Sequence, residues 1–154
     1  MNLVGHPFPL FCLNDQQGKV WSNDDLKNRW TILYAYPKDM TSGCTLEAKD
    51  FVKHLLHFES LNAQVLGVSP DDEKSHVTFC EKERITFSLL SDTGKKLLQG
   101  LGAWREKSMA GKKFMGVERS TWIIDPKGEV VQEWRNVKVP DHVAGVLKVL
   151  EQLQ

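Results

Sequence analysis

An uncharged run of β-branched and aromatic residues at positions 31–36, which ends at Pro37, is the feature that most constrains the fold of this chain. A strand without alternating polar residues is typical of a sheet that is covered on both faces, so the run predicts a central strand. Apolar residues then recur at helical spacing over positions 42–58, and a second run without charge follows at 63–68. This order predicts a βαβ unit whose two strands are buried side by side.

Further patterns predict the elements around this unit. Ser69 and Pro70, followed by two aspartates, supply a helix cap and a first helical turn, so a second helix should run to about Arg84. The turn Asp-Pro-Lys-Gly at 125–128 joins two strand-like runs and predicts a hairpin. The other expected elements are a first hairpin at 8–13 and 19–21, a strand at 85–90, a short helix at 93–101, the hairpin strands at 120–124 and 130–137, and a final helix after Pro140. Together they predict a thioredoxin-like α/β fold, a mixed sheet flanked by helices with an N-terminal β-hairpin, in one domain over residues 1–154.

The charge balance of the chain limits its partners. Lysine and arginine number 20, as do aspartate and glutamate, which gives a formal net charge of zero over 154 residues. Nucleic acids and anionic membranes attract proteins with a basic surplus or stripe, so neither is an expected partner. No apolar run approaches the roughly 20 residues of a membrane span, and the first residues lack the basic and apolar stretches of a secretory signal. A cytoplasmic protein is therefore expected.

Cys44 is the residue whose placement points most clearly to chemistry. It follows Pro37 in a polar segment, at the expected first turn of a helix, and the chain has no CxxC pair. The unpaired N–H groups and the positive dipole at a helix start stabilise an anion, and such positions lower a cysteine pKa from about 8.5 to roughly 3.5–7.5. Thr41 should cap the helix through its hydroxyl, and Gly43 should let a ligand approach the backbone. On local physics alone, an inert cysteine behind an ordinary cap explains the pattern equally well.

The same segment carries a family signature. The spacing Pro37-x3-Thr41-x2-Cys44 is the PxxxTxxC motif of the peroxiredoxins, and the fuller run Tyr-Pro-Lys-Asp-x-Thr-x-Gly-Cys-Thr-x-Glu-Ala resembles the peroxiredoxin Q subfamily, also called bacterioferritin comigratory protein. Further matching motifs are Gly102-x-Trp104, Gly111-Lys112-Lys113 and Gly116-x2-Arg119-Ser120-Thr121-x-Ile123-Ile124-Asp125. Because several motifs occur in order, the chain is similar to this subfamily over nearly its whole length, from about residue 5 to residue 150.

The resemblance implies a thiol peroxidase in which Cys44 attacks the terminal oxygen of a hydroperoxide and becomes a sulfenic acid. Thr41, backbone N–H groups at Cys44 and the guanidinium of Arg119 are then the donors that absorb charge on the leaving oxygen. Pro37 shields the sulfur. The implied substrate-binding residues are Pro37, Thr41, Gly43 and Arg119. Without the resemblance, Arg119 would be read as a solvated charge at a strand edge, and no metal or cofactor is expected.

The sequence departs from the subfamily pattern at three positions, and only the last of them, Lys49, bears on the second cysteine. Ser42 stands where proline is frequent, Trp122 where phenylalanine is frequent, and Lys49 where many relatives carry their resolving cysteine. Cys80, 36 positions after Cys44 on the next predicted helix, fits a variant of the family in which the resolving cysteine lies there. The resemblance then implies an intramolecular Cys44–Cys80 disulfide in a monomer, formed after local unfolding and reduced by thioredoxin or a similar thiol.

Other interpretations stay open at this point. A one-cysteine peroxidase resolved by an external thiol and a non-enzymatic thioredoxin-like binding module both agree with the sequence, whereas the absent CxxC argues against a general disulfide oxidoreductase. Glu47 either orients Arg119 or complements the helix dipole. Cys12, in an apolar stretch, is expected to be buried packing. His54 and His57 are expected on a solvated helix face without a metal.

Overall fold

A five-stranded mixed sheet forms the centre of the structure, a computed structural model that describes residues 2–154. In chain order the elements are β1 (Cys12–Asn14), β2 (Val20–Ser22), β3 (Trp30–Ala35), α1 (Ser42–Ser60), β4 (Ala63–Ser69), α2 (Glu73–Glu83), β5 (Ser88–Ser91), α3 (Lys96–Gly100), β6 (Trp104–Met109), β7 (Lys112–Val117), β8 (Ser120–Ile124), β9 (Val130–Trp134) and α4 (His142–Leu153). Among the described helices, none combines the length and the apolar character that a bilayer crossing needs.

The expected central strand and βαβ unit are confirmed. The strand order is β5-β4-β3-β8-β9, in which β3 is parallel to β4 and antiparallel to β8. At the carboxyl end of β3, Ala35 lies opposite Val68 of β4 on one side and Ser120 of β8 on the other. The loop after β3, the chain after β4 and the residue before β8 therefore meet at one edge of the sheet, where α1 begins.

Both faces of the sheet are covered, which explains why β3 shows no polar alternation. On one face, Ile32 and Tyr34 belong to an apolar cluster shared with α1, α2 and α4. On the other face, Leu33 and Ala35 pack with α3 and the N-terminal hairpin. Because α1 and α2 cover the same face, the cysteines that they carry belong to one apolar cluster.

The second helix begins later than the sequence predicted. α2 starts after Asp72, whose carboxylate accepts a hydrogen bond from the backbone N–H of Ser75 at 2.9 Å. Ser69 instead ends β4, and its hydroxyl donates to the carboxylate of Asp71 at 2.7 Å. Since the Ser69 hydroxyl is engaged by Asp71, Ser69 and Pro70 form the connection between strand and helix, and Asp72 is the cap.

Two other sequence expectations fail at exposed strands. The hairpin of β6 and β7 was not predicted, because its strands are mostly exposed and mix charged with apolar side chains. Its two-residue turn at Ala110 and Gly111 has positive φ at both positions, 52° and 79°, as a type I′ turn requires.

The expected burial of Cys12 is wrong. Phe11 points inward, and Cys12 is exposed because neighbours on an extended chain point to opposite sides.

Candidate active site

Cys44 lies in the first turn of α1, at the carboxyl edge of the sheet. Thr41 is the extended residue before the helix, and Cys44 is the third helical residue. Cys44 is only 2% exposed, and its thiol is free. The unpaired N–H groups of this first turn and the positive end of the helix dipole stabilise negative charge on the sulfur or on an oxygen bound next to it.

Arg119 brings a cation to the sulfur. Its Nη2 lies 3.4 Å from Cys44 Sγ, and its Nη1 donates to Oε1 of Glu47 at 2.6 Å. Arg119 directly precedes β8, so the pairing of β8 with β3 holds it beside the start of α1. Gly43 leaves space for the guanidinium, because a Cβ at this position would lie in tight contact, 3.3 Å from Nη2 of Arg119. The structure thus brings Cys44, Gly43 and Arg119 together.

Glu47 is the titratable group of this site. It is 0% exposed, and its Oε2 has no hydrogen-bond partner among the described residues. Burial raises the pKa of Glu47 to about 7, although the Arg119 guanidinium opposes the increase. Burial alone would lower the pKa of Arg119, yet that pKa is raised because Glu47 and Cys44 favour the charged form. Arg119 is therefore the permanent charge of the site, and Glu47 is the group that changes charge near neutral pH.

Replacing Glu47 with glutamine is expected to change how the stability of the reduced protein depends on pH. Because the folded-state pKa of about 7 lies above the ordinary value of 4.5, the native state holds this proton more tightly than the unfolded chain does. The protonated Glu47 therefore stabilises the folded protein fully at pH values below the ordinary pKa of 4.5. This stabilisation is lost as the pH rises through the folded-state pKa of about 7. Its size is on the order of 3 kcal/mol.

Urea unfolding of the reduced protein at about pH 5 and about pH 8 measures this effect. Glu47→Gln should show a smaller decline in the free energy of unfolding than the wild type. Glu59→Gln, an exposed change on the same helix, should keep the wild-type decline. An equal decline in the wild type and in Glu47→Gln would contradict the assignment of a raised pKa to Glu47.

The Thr41 hydroxyl is not the helix cap that the sequence predicted. Its Oγ1 donates to the carbonyl oxygen of Lys38 at 2.9 Å, and no side-chain hydrogen bond caps α1. Since a carbonyl oxygen only accepts, the hydroxyl proton is committed to Lys38 while the lone pairs of Oγ1 remain. Thr41 is exposed, so an incoming ligand meets a hydrogen-bond acceptor here.

A groove of about 460 Å³ borders this site at Arg119. Its lining includes Pro37 and Arg119, together with Lys107 and other polar residues of the β6–β7 hairpin. Lys107 is held in place by a hydrogen bond from its Nζ to the carbonyl oxygen of Val117 at 2.6 Å. Gly116 leaves room for the Lys107 side chain, because a Cβ there would lie 3.0 Å from its Cδ. A small polar ligand can therefore approach Arg119 along a preformed path.

Cys80 is the other buried cysteine. It lies on α2, is 8% exposed and belongs to the same apolar cluster as Cys44. Burial, with a smaller contribution from nearby carboxylates such as Asp39, raises the pKa of Cys80 to about 12. In the folded protein Cys80 is therefore a thiol and a poor nucleophile.

A buried polar network beside the site was missed by the sequence analysis. The carboxylate of Asp39 accepts hydrogen bonds from the hydroxyls of Tyr36 at 2.6 Å and Ser75 at 2.8 Å, and lies 2.7 Å from Nδ1 of His76. Asp39, Asp71 and His76 place potential metal ligands within 4.8 Å of one another. Because both carboxylate oxygens of Asp39 already accept hydrogen bonds from protein groups, these contacts explain the cluster without a metal.

Known proteins resemble this chain in sequence and in structure. A profile described as the AhpC/TSA family matches residues 4–133. Peroxiredoxin Bcp of Bacillus subtilis is 43% identical over 150 residues, which cover 97% of this chain and 96% of that protein. A structure of the Xanthomonas campestris bacterioferritin comigratory protein, described in connection with its alkyl peroxide reduction activity, has a TM-score of 0.90 at 38% identity and covers 99% of this chain and 97% of its own.

Two further solved structures are serine variants of Xanthomonas campestris peroxiredoxin Q, each with a different cysteine replaced. Their TM-scores are 0.91 and 0.90, both at 38% identity, with coverage of 100% and 99% of this chain and of 98% and 96% of theirs. The two replaced cysteines are 36 positions apart in that protein. These similarities confirm the expected thioredoxin-like fold.

Proposed function

The chain belongs to the AhpC/TSA family, as a peroxiredoxin of the Bcp or peroxiredoxin Q group, and we propose that it reduces hydroperoxides through Cys44. As a peroxiredoxin it is a thiol-dependent peroxidase, an oxidoreductase that acts on hydroperoxides and requires a thiol reductant. The observation that best supports Cys44 as the reacting thiol is the 3.4 Å contact between its Sγ and the Arg119 guanidinium at the start of α1. A cation and a helix N-terminus both stabilise negative charge that develops beside the sulfur during the attack.

The first half of the proposed cycle transfers one oxygen atom to sulfur. The Cys44 thiolate attacks the terminal oxygen of R–O–O–H, the O–O bond breaks, and the sulfur becomes a sulfenic acid. The alkoxide RO⁻ leaves and takes a proton from water. Arg119 and the first-turn N–H groups stabilise the charge as it moves from sulfur to the leaving oxygen.

Thr41 acts as an acceptor in this step instead of the donor expected from the sequence. Since its hydroxyl proton is engaged by Lys38, a lone pair of Oγ1 accepts a hydrogen bond from the terminal O–H of the hydroperoxide. This contact orients the peroxide with its terminal oxygen toward Cys44. Gly43 supports the geometry by leaving space for the Arg119 guanidinium.

Hydrogen peroxide and organic hydroperoxides are the proposed substrates. Pro37 and Arg119 line the groove beside the site, and its volume of about 460 Å³ admits an organic group as well as hydrogen peroxide. The related Xanthomonas campestris protein is described as reducing alkyl peroxides. Both observations support a site that accepts more than hydrogen peroxide.

Cys80 is the proposed resolving thiol. It lies 36 positions after Cys44, the same separation as the two cysteines replaced in the related serine variants. A raised pKa of about 12 keeps Cys80 protonated while α2 is folded. Local unfolding of α2 exposes the thiol to water, and it also allows the approach of the two Cα atoms to within about 7 Å that a disulfide needs. Cys80 then attacks the sulfenic sulfur, so that a disulfide forms and water leaves.

The weak anchoring of α2 supports this opening. Phe79 and Cys80 are its only buried apolar residues, beside the polar His76, and Val77 is exposed. An element with few buried apolar contacts opens at lower free energy than the rest of the fold.

Thioredoxin or a similar thiol protein is the proposed reductant of the disulfide. The proposed enzyme is a single-domain monomer in the cytoplasm. Reducing conditions in that compartment keep cysteines free, which agrees with the three free cysteines of the structure.

The Cys80→Ser variant tests the two-cysteine cycle. It should be oxidised once at the wild-type rate and then lose thioredoxin-dependent turnover by at least about 100-fold, because no disulfide forms for the reductant to reduce. Peroxide consumption with a thioredoxin regenerating system measures the turnover, and Cys12→Ser is the matched control. Normal turnover of Cys80→Ser with thioredoxin would instead establish the one-cysteine peroxidase that uses an external thiol.

A further inference from the structure

His76 is a buried histidine with hydrogen-bond acceptors at both ring nitrogens. Its Nδ1 lies 2.7 Å from Oδ2 of Asp39, and its Nε2 lies 3.0 Å from the carbonyl oxygen of Leu90. The side chains of His76 and Asp39 are 0% and 1% exposed. A ring proton on Nδ1 donates to the Asp39 carboxylate, which only accepts. The geometry is that of a short, fully buried hydrogen bond between α2 and the loop before α1.

This pair joins two segments that act in different halves of the catalytic cycle. Asp39 belongs to the loop of residues 37–41, which leads into α1 and Cys44. His76 lies on α2, one helical turn before Cys80. The loop shapes the peroxide site, and α2 must open for the disulfide to form. Buried contacts at Asp39 therefore connect the segment that shapes the peroxide site with the helix that carries Cys80.

Further hydrogen bonds connect Asp39 to α2 and to the residues just before it. Ser75 of α2 donates to the same Oδ2 at 2.8 Å, and the backbone N–H of Asp39 donates to Asp71, just before α2, at 2.9 Å. The next residue, Met40, has a φ of 64°, a left-handed conformation that residues other than glycine adopt only when their surroundings impose it.

We propose that the His76–Asp39 pair is a latch that holds α2 against the loop of residues 37–41 and sets the rate at which Cys80 reaches the sulfenic acid of Cys44. The proposal rests on the function proposed above and assigns His76 and Asp39 as positioning residues within it. Opening α2 breaks the 2.7 Å contact between His76 Nδ1 and Asp39 Oδ2 and the hydrogen bond that Ser75 donates to the same oxygen. The latch therefore contributes directly to the free energy of opening, beyond the apolar contacts of α2.

The latch controls the choice between two fates of the sulfenic acid. In resolution, the sulfenic acid and the Cys80 thiol give a disulfide and water. In overoxidation, a second hydroperoxide transfers another oxygen to the same sulfur, which gives a sulfinic acid and an alcohol, or water from hydrogen peroxide. A closed latch prolongs the time during which the second reaction competes. A weaker latch favours the disulfide.

Two variants remove the latch from opposite sides. His76→Phe keeps a ring but has no N–H, and Asp39→Asn removes the carboxylate charge. Each should accelerate disulfide formation by at least about tenfold, because a hydrogen bond to a charged partner no longer opposes opening. Each should also slow the first oxidation by at least about threefold, because the loop that carries Thr41 loses one of its contacts with α2. The double variant should resemble either single variant, since all three break the same contact.

Rapid-quench mass spectrometry after a pulse of hydrogen peroxide measures both rates and the sulfinic fraction. Asp72→Ala is the matched control, because it removes the side-chain cap of α2 and leaves the side chains of His76 and Asp39 in place. Loss of a cap should speed disulfide formation by about fivefold and leave the first oxidation unchanged. Opposite changes in the two rates, seen only in the latch variants, support the proposal. If His76→Phe does not fold, Asp39→Asn alone tests the proposal through the rates of Cys44 oxidation and of disulfide formation.

Three results would overturn the latch. Latch variants whose two rates equal those of the wild type would show that the pair sets neither step. Variants that behave like Asp72→Ala would reduce the pair to ordinary helix stability. A wild-type protein that forms sulfenic acid at Cys44 without a Cys44–Cys80 disulfide would overturn the latch together with the proposed resolution step, and this outcome is visible in the wild-type sample alone.

Discussion

The Cys44→Ser variant is expected to lose at least about 1,000-fold in peroxidase turnover, because a serine hydroxyl is not ionised near neutral pH and does not form a sulfenic acid. The fold should be retained, since serine is close to cysteine in size. Peroxide consumption with a thioredoxin regenerating system gives the rate, and circular dichroism checks that the helices are intact.

Cys12→Ser is the control for this change. Cys12 is exposed on β1, and the contacts that surround Cys44 do not include it, so its replacement should leave turnover unchanged. Substantial peroxidase activity in Cys44→Ser would show that another thiol reacts with the hydroperoxide. A loss of activity in Cys12→Ser would point to the same conclusion.

Arg119→Ala is expected to slow the single-turnover oxidation of Cys44 by about 100- to 1,000-fold, the usual cost of removing a donor from a developing oxyanion. The variant loses both the 3.4 Å contact with Cys44 Sγ and the donor to Glu47. Arg119→Lys should recover little activity, because a single ammonium does not serve both partners in the geometry of a guanidinium. Thr41→Val should also slow oxidation, by a smaller factor, since it removes the acceptor for the hydroperoxide.

The free energy of unfolding of Arg119→Ala should change far less than its oxidation rate. Without Arg119, Glu47 can take up a proton, since burial already raises its pKa to about 7. The free energy of unfolding should therefore fall by only about 1–3 kcal/mol. Arg105→Ala is the matched control, because Arg105 lines the same groove but is mostly exposed and pairs with Glu118. Equal oxidation rates in Arg119→Ala and Arg105→Ala would remove Arg119 from the site.

The central βαβ unit and the position of Cys44 could be predicted because their causes are local. An uncharged strand that ends at Pro37, followed by a helical pattern, places Cys44 in a first helical turn at the edge of the sheet. Arg119 could not be placed by any local pattern, since it reaches Cys44 through strand pairing between distant segments. Only the family motif indicated it, and the structure supplies the contact.

Features that depend on burial between distant segments could not be predicted from the sequence patterns. The contact between Asp39 and His76 joins residues 37 positions apart, and each alone looks like an ordinary surface residue. One signal was present: His76 precedes Phe79 and Cys80 by three and four positions, which places it on the buried side of α2. The hydroxyl of Thr41 was assigned to the helix cap for the same reason, because the competing acceptor at Lys38 is visible only in the folded loop.

The most direct measurement for the proposed cycle is the mass and the disulfide map of the reduced protein before and after one equivalent of hydrogen peroxide. We predict a monomer that is lighter by two hydrogen atoms, with one intramolecular disulfide between Cys44 and Cys80 and with Cys12 still free. A free Cys80 beside an oxidised Cys44, or a disulfide that contains Cys12, would contradict the two-cysteine mechanism.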